Sequence, residues 1–244
     1  MKILHVNTYP FGGAFTGAYR LHEALLKEKI DSKMLVSTIP VNPGLKEVYV
    51  YNRTLRTPNF FNRALAKFGY PRTADQKRKF NTKGLKGEYE IISYPFSDID
   101  ITKSDEYNEA DIIQLHWIAG FVNYKNFFKK CKKPVVFTLR DLNPMQGIFH
   151  YEGDKNLNLA FSTLEKKYLN VKISSLSSFK EQLKVVGISE WITEKSKCSI
   201  IFKDFKHYTI HNCINVENYK LIDKKKAKGD ISITDESIVF SFVS

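Results

Sequence analysis

Cysteine is scarce in this sequence. The three cysteines, Cys131, Cys198 and Cys213, lie far apart and include no C-x-x-C pair. This spacing argues against a disulfide-stapled scaffold and against a zinc site, and it is typical of the reducing cytosol. We therefore expect a cytoplasmic protein, and its 244 residues are enough to bury a full core without cross-links.

Long apolar runs are missing as well. The most apolar stretch, 112–122, is interrupted by Gln114 and His116, and it is shorter than the roughly 20 residues that a helix needs to cross a bilayer. The amino-terminal residues contain no apolar core of a signal peptide. We expect neither a signal peptide nor a membrane-spanning segment. A protein that is free in the cytoplasm and one that is peripheral on the inner face of the cell membrane both fit.

Acidic residues are outnumbered: the chain has 26 of them against 38 lysines and arginines, which gives a net charge of +12. A field of this sign attracts nucleic acid, anionic lipid or phosphorylated substrates. The excess is concentrated between residues 51 and 87, where ten basic side chains accompany a single acid, Asp75. No recognisable nucleic-acid-binding motif occurs there, so we predict no specific nucleic-acid partner.

Aromatic residues are interleaved with cations inside this basic segment. In a helix, Phe61, Leu65 and Phe68 would share one face, with Arg63 and Lys67 beside it. Such a helix suits an anionic membrane surface, which the five residues would contact. The same pattern also suits an ordinary helix packed on its own domain. The sequence leaves both interpretations open.

Strand and helix patterns alternate from the start of the chain. Residues 2–7 and 34–37 have strand patterns, and helical spacing over 15–29 predicts a helix between them after a glycine-containing loop at 8–13. This order opens a parallel α/β sheet. Further strands are predicted at 48–51, 111–115, 134–139, 184–188 and 207–211, and helices at 59–67, 123–130, 157–169 and 190–197.

A charged segment near the end divides the chain. We expect residues 1–218 to form one α/β domain and residues 219–236 to form a linker or surface helix. Residues 237–244 have a strong strand pattern. A strand needs a partner for its backbone groups, and a terminal strand can find one in its own sheet. Because this one follows a charged linker, we predict that it is the first strand of a second, truncated domain.

The glycine pair Gly12 and Gly13 joins the first predicted strand to the first predicted helix. The unpaired N–H groups at a helix start bind anions, and glycine permits a phosphate to approach the backbone closely. The pair matches neither G-x-G-x-x-G nor the P-loop pattern. A phosphate site and a plain tight turn therefore both remain open.

Polar and aromatic residues follow several predicted strands directly. His116 and Trp117 follow one strand, Arg140 and Asp141 follow the next, and Asn212 follows the last strand before the linker. The ligand crevice of an open parallel sheet lies outside the carboxyl ends of its strands, so we expect these residues to face one cleft. A guanidinium at such a place can bind a phosphate or carboxylate through two hydrogen bonds.

Each of these residues also has a purely structural interpretation. His116 suits a core position, Trp117 an anchor, and Asn212 a turn bonded to its own backbone, while Arg140 and Asp141 suit a surface ion pair. The sequence contains no carboxylate pair, no convincing Ser-His-Asp order and no cluster with metal-ligand spacing. We therefore predict no metal site.

Short segments occur in a fixed order along the whole chain. They are MKILHVNT at 1–8, GG at 12–13, AYRLH at 18–22, IDSKMLV at 30–36, ADIIQLHWI at 110–118, PVVFTL at 134–139, NP through HY at 143–151, SEWI at 189–192 and IHN at 210–212. Together they resemble the amino-terminal half of bacterial family 4 glycosyltransferases, of the type found in capsule, O-antigen and colanic-acid gene clusters.

The resemblance implies a GT-B architecture, in which two Rossmann-like domains face a cleft. The amino-terminal domain binds the acceptor, here a saccharide or lipid-linked saccharide, and the other binds a nucleotide-sugar donor. Transfer in the family is retaining and usually needs no metal or other cofactor. The resemblance implies catalytic positions at Arg140 and Asp141. It implies substrate-binding positions at Gly12, Gly13, Arg20, His116, Trp117 and Asn212.

The sequence departs from the family pattern in several places. Arg140 stands where the family has a histidine, and a guanidinium cannot replace a neutral imidazole because it stays charged. Cys213 stands where a glycine follows the asparagine, and no cysteine-bearing segment follows His150-Tyr151. The chain also ends where the donor domain would begin.

These observations together predict an acceptor-binding glycosyltransferase domain for cell-surface polysaccharide biosynthesis that does not transfer sugar alone. The alternative is a non-catalytic module that binds an anionic glycan or a membrane surface.

Overall fold

The computed structural model describes residues 1–52, 73–234 and 236–240. The chain divides into two compact units, Met1–Asn212 and Cys213–Ser244. The helix predicted at 59–67 lies outside the described residues, as do the membrane-contact candidates Phe61, Arg63, Leu65, Lys67 and Phe68. The domain boundaries predicted from the sequence stay a prediction.

A parallel sheet of seven strands forms the centre of the first unit in the described part of the chain. The strand order is β3-β2-β1-β4-β5-β6-β7, and every neighbouring pair is parallel. This confirms the predicted α/β, Rossmann-like fold class. The strands are β1 (Lys2–Val6), β2 (Asp31–Val36), β3 (Val48–Val50), β4 (Ile112–Leu115), β5 (Val135–Leu139), β6 (Leu183–Gly187) and β7 (Lys206–Thr209).

Helices alternate with the strands. The described α-helices are α1 (Gly12–Lys27), α2 (Ala74–Thr82), α3 (Asp105–Glu109), α4 (Tyr124–Lys130), α5 (Glu152–Leu157), α6 (Ser162–Leu176), α7 (Glu190–Lys197) and α8 (Lys224–Asp230). Short 3₁₀ turns lie at Ile101–Lys103, Asn143–Met145, Leu159–Phe161 and Val216–Asn218.

The core lies on the central strands. Leu4 and Val6 of β1, Ile113 and Leu115 of β4 and Phe137 of β5 are completely buried. Because both faces of an inner parallel strand are covered, such strands have nearly continuous apolar sequences. These are the strands that the sequence predicted to within a residue or two.

Some predicted elements are wrong in extent. Helix α1 begins at Gly12 rather than at residue 15, so the two glycines form its first turn and not a preceding loop. The helix predicted at 157–169 is instead α6, Ser162–Leu176, preceded by the separate short helix α5. Helix α2 was not predicted, because its mostly polar sequence has a single buried residue, Ala74.

The predicted start of α7 is confirmed. The Ser189 hydroxyl accepts a hydrogen bond from the backbone N–H of Ile192 at 3.3 Å, as an N-cap serine does. In the second unit, helix α8 occupies part of the predicted linker. Residues 237–240 form no strand, contrary to that part of the strand prediction, and residues 241–244 lie outside the described chain. An isolated strand has no stability of its own.

None of the described helices is both long enough and apolar enough to span a bilayer.

Candidate functional site

The sheet reverses its strand order between β1 and β4. Chain segments leave these adjacent strands in opposite directions, which opens a crevice at their carboxyl ends. A small cleft, partly open to solvent, lies next to this point, over the carboxyl ends of β4 and β5. It is lined by His116, Trp117, Ile118, Ala119, Tyr124, Arg140, Asp141, Asn143, Pro144 and His150.

Asp141 organises one wall of the cleft. Its Oδ2 accepts hydrogen bonds from Trp117 Nε1 at 2.7 Å and from His150 Nδ1 at 2.6 Å. Its Oδ1 accepts the backbone N–H of Asn143 at 2.9 Å. His150 is held on its other side by the Ser93 hydroxyl, 2.8 Å from Nε2. The carboxylate therefore fixes the orientation of an indole and an imidazole.

Arg140 joins three separate parts of the fold. One Nη donates to Asn212 Oδ1 at 2.5 Å, and the other lies 3.2 Å from His116 Nδ1. Arg140 and Asn212 both lie over Gly17 of α1, where a Cβ would overlap them. The guanidinium thus connects the carboxyl ends of β4 and β5 with Asn212 and with α1.

Behind Arg140, two histidines lie in contact inside the core. His116 Nε2 is 3.0 Å from His5 Nδ1, and the two rings are stacked with centroids 5.3 Å apart. Burial, together with His22 and Arg140, lowers the pKa of His5 to about 3. Burial, His5 and Arg140 hold the pKa of His116 well below its usual range. Both imidazoles are therefore neutral at physiological pH.

Helix α6 holds the far wall of the cleft through two buried ionisable side chains. Lys172 donates from Nζ to the backbone oxygens of Asn143 at 2.6 Å and Gln146 at 2.7 Å. Glu165 accepts the backbone N–H groups of Gly147 at 2.6 Å and Ile148 at 2.7 Å. The two side chains therefore satisfy four backbone groups of segment 143–148.

This lysine is held entirely out of water. Burial lowers the pKa of Lys172 to about 7, against the opposing influence of Glu165 and Asp141. A third oxygen, Oδ1 of Asn143, lies 3.3 Å from Nζ. Three oxygen acceptors match the three N–H donors of an ammonium group, which offsets part of the cost of burying a charge.

The structure brings together five of the residues that the sequence proposed for the site. His116, Trp117, Arg140 and Asp141 line the cleft, and Asn212 binds Arg140. Their assigned roles stay predictions.

The other proposed residues lie outside the cleft lining. Gly12 and Gly13 lie exposed in the first turn of α1, and no atom lies within 4 Å of where a Cβ would stand at either position. Gly12 has φ +82°, a backbone conformation that favours glycine. The N-cap residue of this helix is Phe11, whose side chain makes no capping hydrogen bond. Arg20 is half-buried further along α1.

Several residues of the site carry no clear sequence signal. His5, Gly17, Glu165 and Lys172 act through tertiary contacts that no local pattern reveals. Glu165 and Lys172 are seven residues apart and so share one helix face. On a lysine-rich helix, a face with such charged residues predicts exposure to solvent. His150 belongs to the His-Tyr pair already noted in the resemblance, and that pair was the available signal.

No protein-family model matches the sequence, and no curated protein matches it significantly. Among the described residues, no group of three or more His, Cys, Asp or Glu side chains is arranged to hold a metal ion. The case for a function therefore depends on the cleft and on the sequence resemblance.

Proposed function

We propose that this chain is the acceptor-binding half of a GT-B glycosyltransferase, acting on a saccharide or lipid-linked saccharide in cell-surface polysaccharide biosynthesis. One observation carries the proposal. Segments of the resemblance that lie far apart in sequence, around residues 7, 117, 141, 150 and 212, meet at one edge of the sheet. Convergence at a topological switch point is what a ligand site in this fold requires.

In this proposal the cleft binds the sugar that receives the transferred group. The Asp141 carboxylate accepts hydrogen bonds from sugar hydroxyls, and Trp117 supplies an apolar face. The exposed first turn of α1, with its glycines and uncapped start, would face the diphosphate of a nucleotide-sugar donor. N–H groups and the positive end of the helix dipole favour an anion at that place.

Arg140 has a different part in the proposal from that of the family's histidine. Its Nη atoms bind Asn212 and His116, so it contributes a fixed positive charge and a rigid cleft wall. It cannot exchange a proton with the sugar, because a guanidinium stays protonated. The described residues form one Rossmann-like sheet, while the resemblance implies two such domains per enzyme. We therefore expect the chain alone to bind an acceptor without transferring sugar.

A glycan array tests this function directly. We expect the wild-type chain to bind a restricted set of bacterial saccharides, and Asp141→Asn to reduce that binding at least tenfold. Asp204→Asn is the matched control, because Asp204 lies on the surface in an ion pair with Lys180. No saccharide binding, or equal binding by Asp141→Asn, would contradict the proposal. So would turnover of any nucleotide-sugar by the 244-residue chain alone.

A membrane-surface or anionic-glycan module without catalysis is the second candidate. It is favoured by a basic stretch on and after α2, where Lys77, Lys79 and Lys83 are exposed beside Phe80, a residue that is 60% exposed. Cosedimentation with phosphatidylglycerol vesicles at low and high salt tests it. Strong binding that salt abolishes, together with no saccharide binding, would favour this candidate over the first.

A further inference from the structure

Four aromatic side chains lie in series along the edge of the cleft. The ring of Phe11 stacks on Tyr9 at 5.2 Å between centroids, Tyr9 meets Trp117 at 5.5 Å, and Trp117 meets His150 at 5.3 Å. We call these residues, Phe11, Tyr9, Trp117 and His150, the aromatic shelf. It extends from the N-cap residue of α1 to the Asp141 wall of the cleft.

The outer half of the shelf faces solvent. Phe11 is 60% exposed and Tyr9 is 40% exposed, whereas His150 at the inner end is buried. The two rings stack on each other in water and so form one continuous apolar surface beside the cleft, and contiguous apolar surface is a feature of binding sites. The shelf therefore has the arrangement of a ligand platform that begins at the surface and leads into the cleft.

The backbone beneath the shelf is fixed by hydrogen bonds. Thr8 donates its backbone N–H to the carbonyl of Trp117 at 2.7 Å, and the Asn7 side chain accepts the backbone N–H of Trp117 at 3.0 Å. Asn7 also donates from Nδ2 to the carbonyl of Tyr9 at 2.7 Å. Asn7 and Thr8 are themselves buried. The two loops that carry the rings are tied together, so the platform exists before any ligand arrives, which reduces the entropic cost of binding.

The inner end of the shelf distinguishes between possible ligands. Asp141 holds the Trp117 and His150 rings by their N–H groups. A carboxylate accepts hydrogen bonds from hydroxyl groups and repels phosphate. A pyranose ring has an apolar C–H face and a rim of hydroxyls, and so matches flat rings that end at a carboxylate. A nucleotide would bring its phosphates towards that carboxylate.

We propose that the aromatic shelf is a stacking subsite for a pyranose ring, and that Phe11 and Tyr9 are its outer binding residues. The inference rests on the proposed function and deepens it, because it names the surface that receives the acceptor sugar. Phe11 and Tyr9 bind the ligand, while Asp141 both accepts hydrogen bonds from its hydroxyls and holds the inner rings.

Saturation-transfer NMR with three methyl pyranosides (gluco, galacto and manno) and with uridine tests the subsite on the full chain. We expect saturation of ring C–H protons of at least one pyranoside and none of uridine. Phe11→Ala and Tyr9→Ala should each lower pyranoside affinity about three- to tenfold, because each removes one ring of the stacking surface. Phe11→Trp keeps an aromatic ring at this position, so its pyranoside affinity should equal or exceed that of the wild-type chain.

Tyr208→Ala is the control, because Tyr208 is an aromatic residue on β7 that is 51% exposed. It should leave binding unchanged. Pyranoside binding that survives both Phe11→Ala and Tyr9→Ala would overturn the shelf and leave the proposed function standing. Uridine binding that those variants abolish would make the shelf a base-stacking surface and overturn the inference. No pyranoside binding by the wild-type chain would contradict both proposals.

Discussion

Arg140 fixes the protonation state of His116. The guanidinium is only a donor, so the Nδ1 of His116, 3.2 Å away, must be the acceptor and carry no proton. The proton of a neutral His116 therefore resides on Nε2, which donates to His5 Nδ1 at 3.0 Å. Both rings must then stay neutral, because a protonated His116 would present an N–H to a cation. The positive charge of Arg140 at the cleft thus determines the protonation state of the two buried histidines behind it.

Acid should destabilise the fold through these histidines. The pKa of His5 is about 3 in the folded protein and 6.5 in its unperturbed state. Between these values the unfolded chain binds more protons, so the free energy of unfolding must fall as the pH drops from 6.5 towards 3. The slope is at most about 1.4 kcal/mol per pH unit for each such histidine. Urea unfolding at intervals from pH 4 to 7 measures it, and His5→Gln should flatten the curve. An unchanged slope in that variant would contradict the account.

Arg140→Lys should destabilise the fold by about 1–2 kcal/mol. A lysine keeps the charge but cannot donate to Asn212 and His116 together, and hydrogen bonds to charged groups contribute about 1.5–3 kcal/mol when well buried. A double-mutant cycle with Asn212→Ala, followed by urea unfolding, isolates the bridge. We expect the double variant to be only slightly less stable than either single variant. Fully additive losses would mean that the two side chains do not interact.

Gly17→Ala should destabilise the chain although Gly17 lies inside a helix. Alanine normally stabilises a helix interior by about 0.5–1 kcal/mol relative to glycine. At this position its Cβ would overlap the ends of the Arg140 and Asn212 side chains, which must move aside. Loss of the charge-assisted hydrogen bond between them costs about 1.5–3 kcal/mol. Gly153→Ala on α5 is the control, since nothing lies within 4 Å of a Cβ there. Thermal unfolding should show that Gly17→Ala lowers the stability of the chain and that Gly153→Ala does not. Equal stabilisation by both substitutions would contradict the close approach of Arg140 and Asn212 to Gly17.

Glu165→Gln should lower the free energy of unfolding by about 1–3 kcal/mol. Its two carboxylate oxygens accept the N–H groups of Gly147 and Ile148. A glutamine has one acceptor, and its NH₂ group would face the second N–H as another donor. Hydrogen exchange of segment 143–148 should accelerate in this variant. Glu181→Gln at an exposed position should change neither quantity, and a matching effect there would contradict the assignment.

The sheet was predictable from the sequence and parts of the site were not. Strands such as β4 and β5 are buried on both faces, so their apolar runs identify them without tertiary information. The rule that ligands bind at the carboxyl ends then places His116, Trp117, Arg140 and Asp141 in one cleft. The sequence could not predict Lys172 or Gly17, because their roles come from loops and side chains that arrive from distant parts of the chain. Likewise, Phe11 and Tyr9 form a shelf only because Trp117 lies beside them.

Hydrogen exchange of the full chain, with and without the best-binding saccharide from the array, tests the central claim most directly. If the cleft at the carboxyl edge of the sheet binds the acceptor, protection should rise in peptides covering residues 7–13, 116–121 and 140–150. Protection confined to the basic stretch around α2, or no change at the cleft despite saturating saccharide, would contradict it.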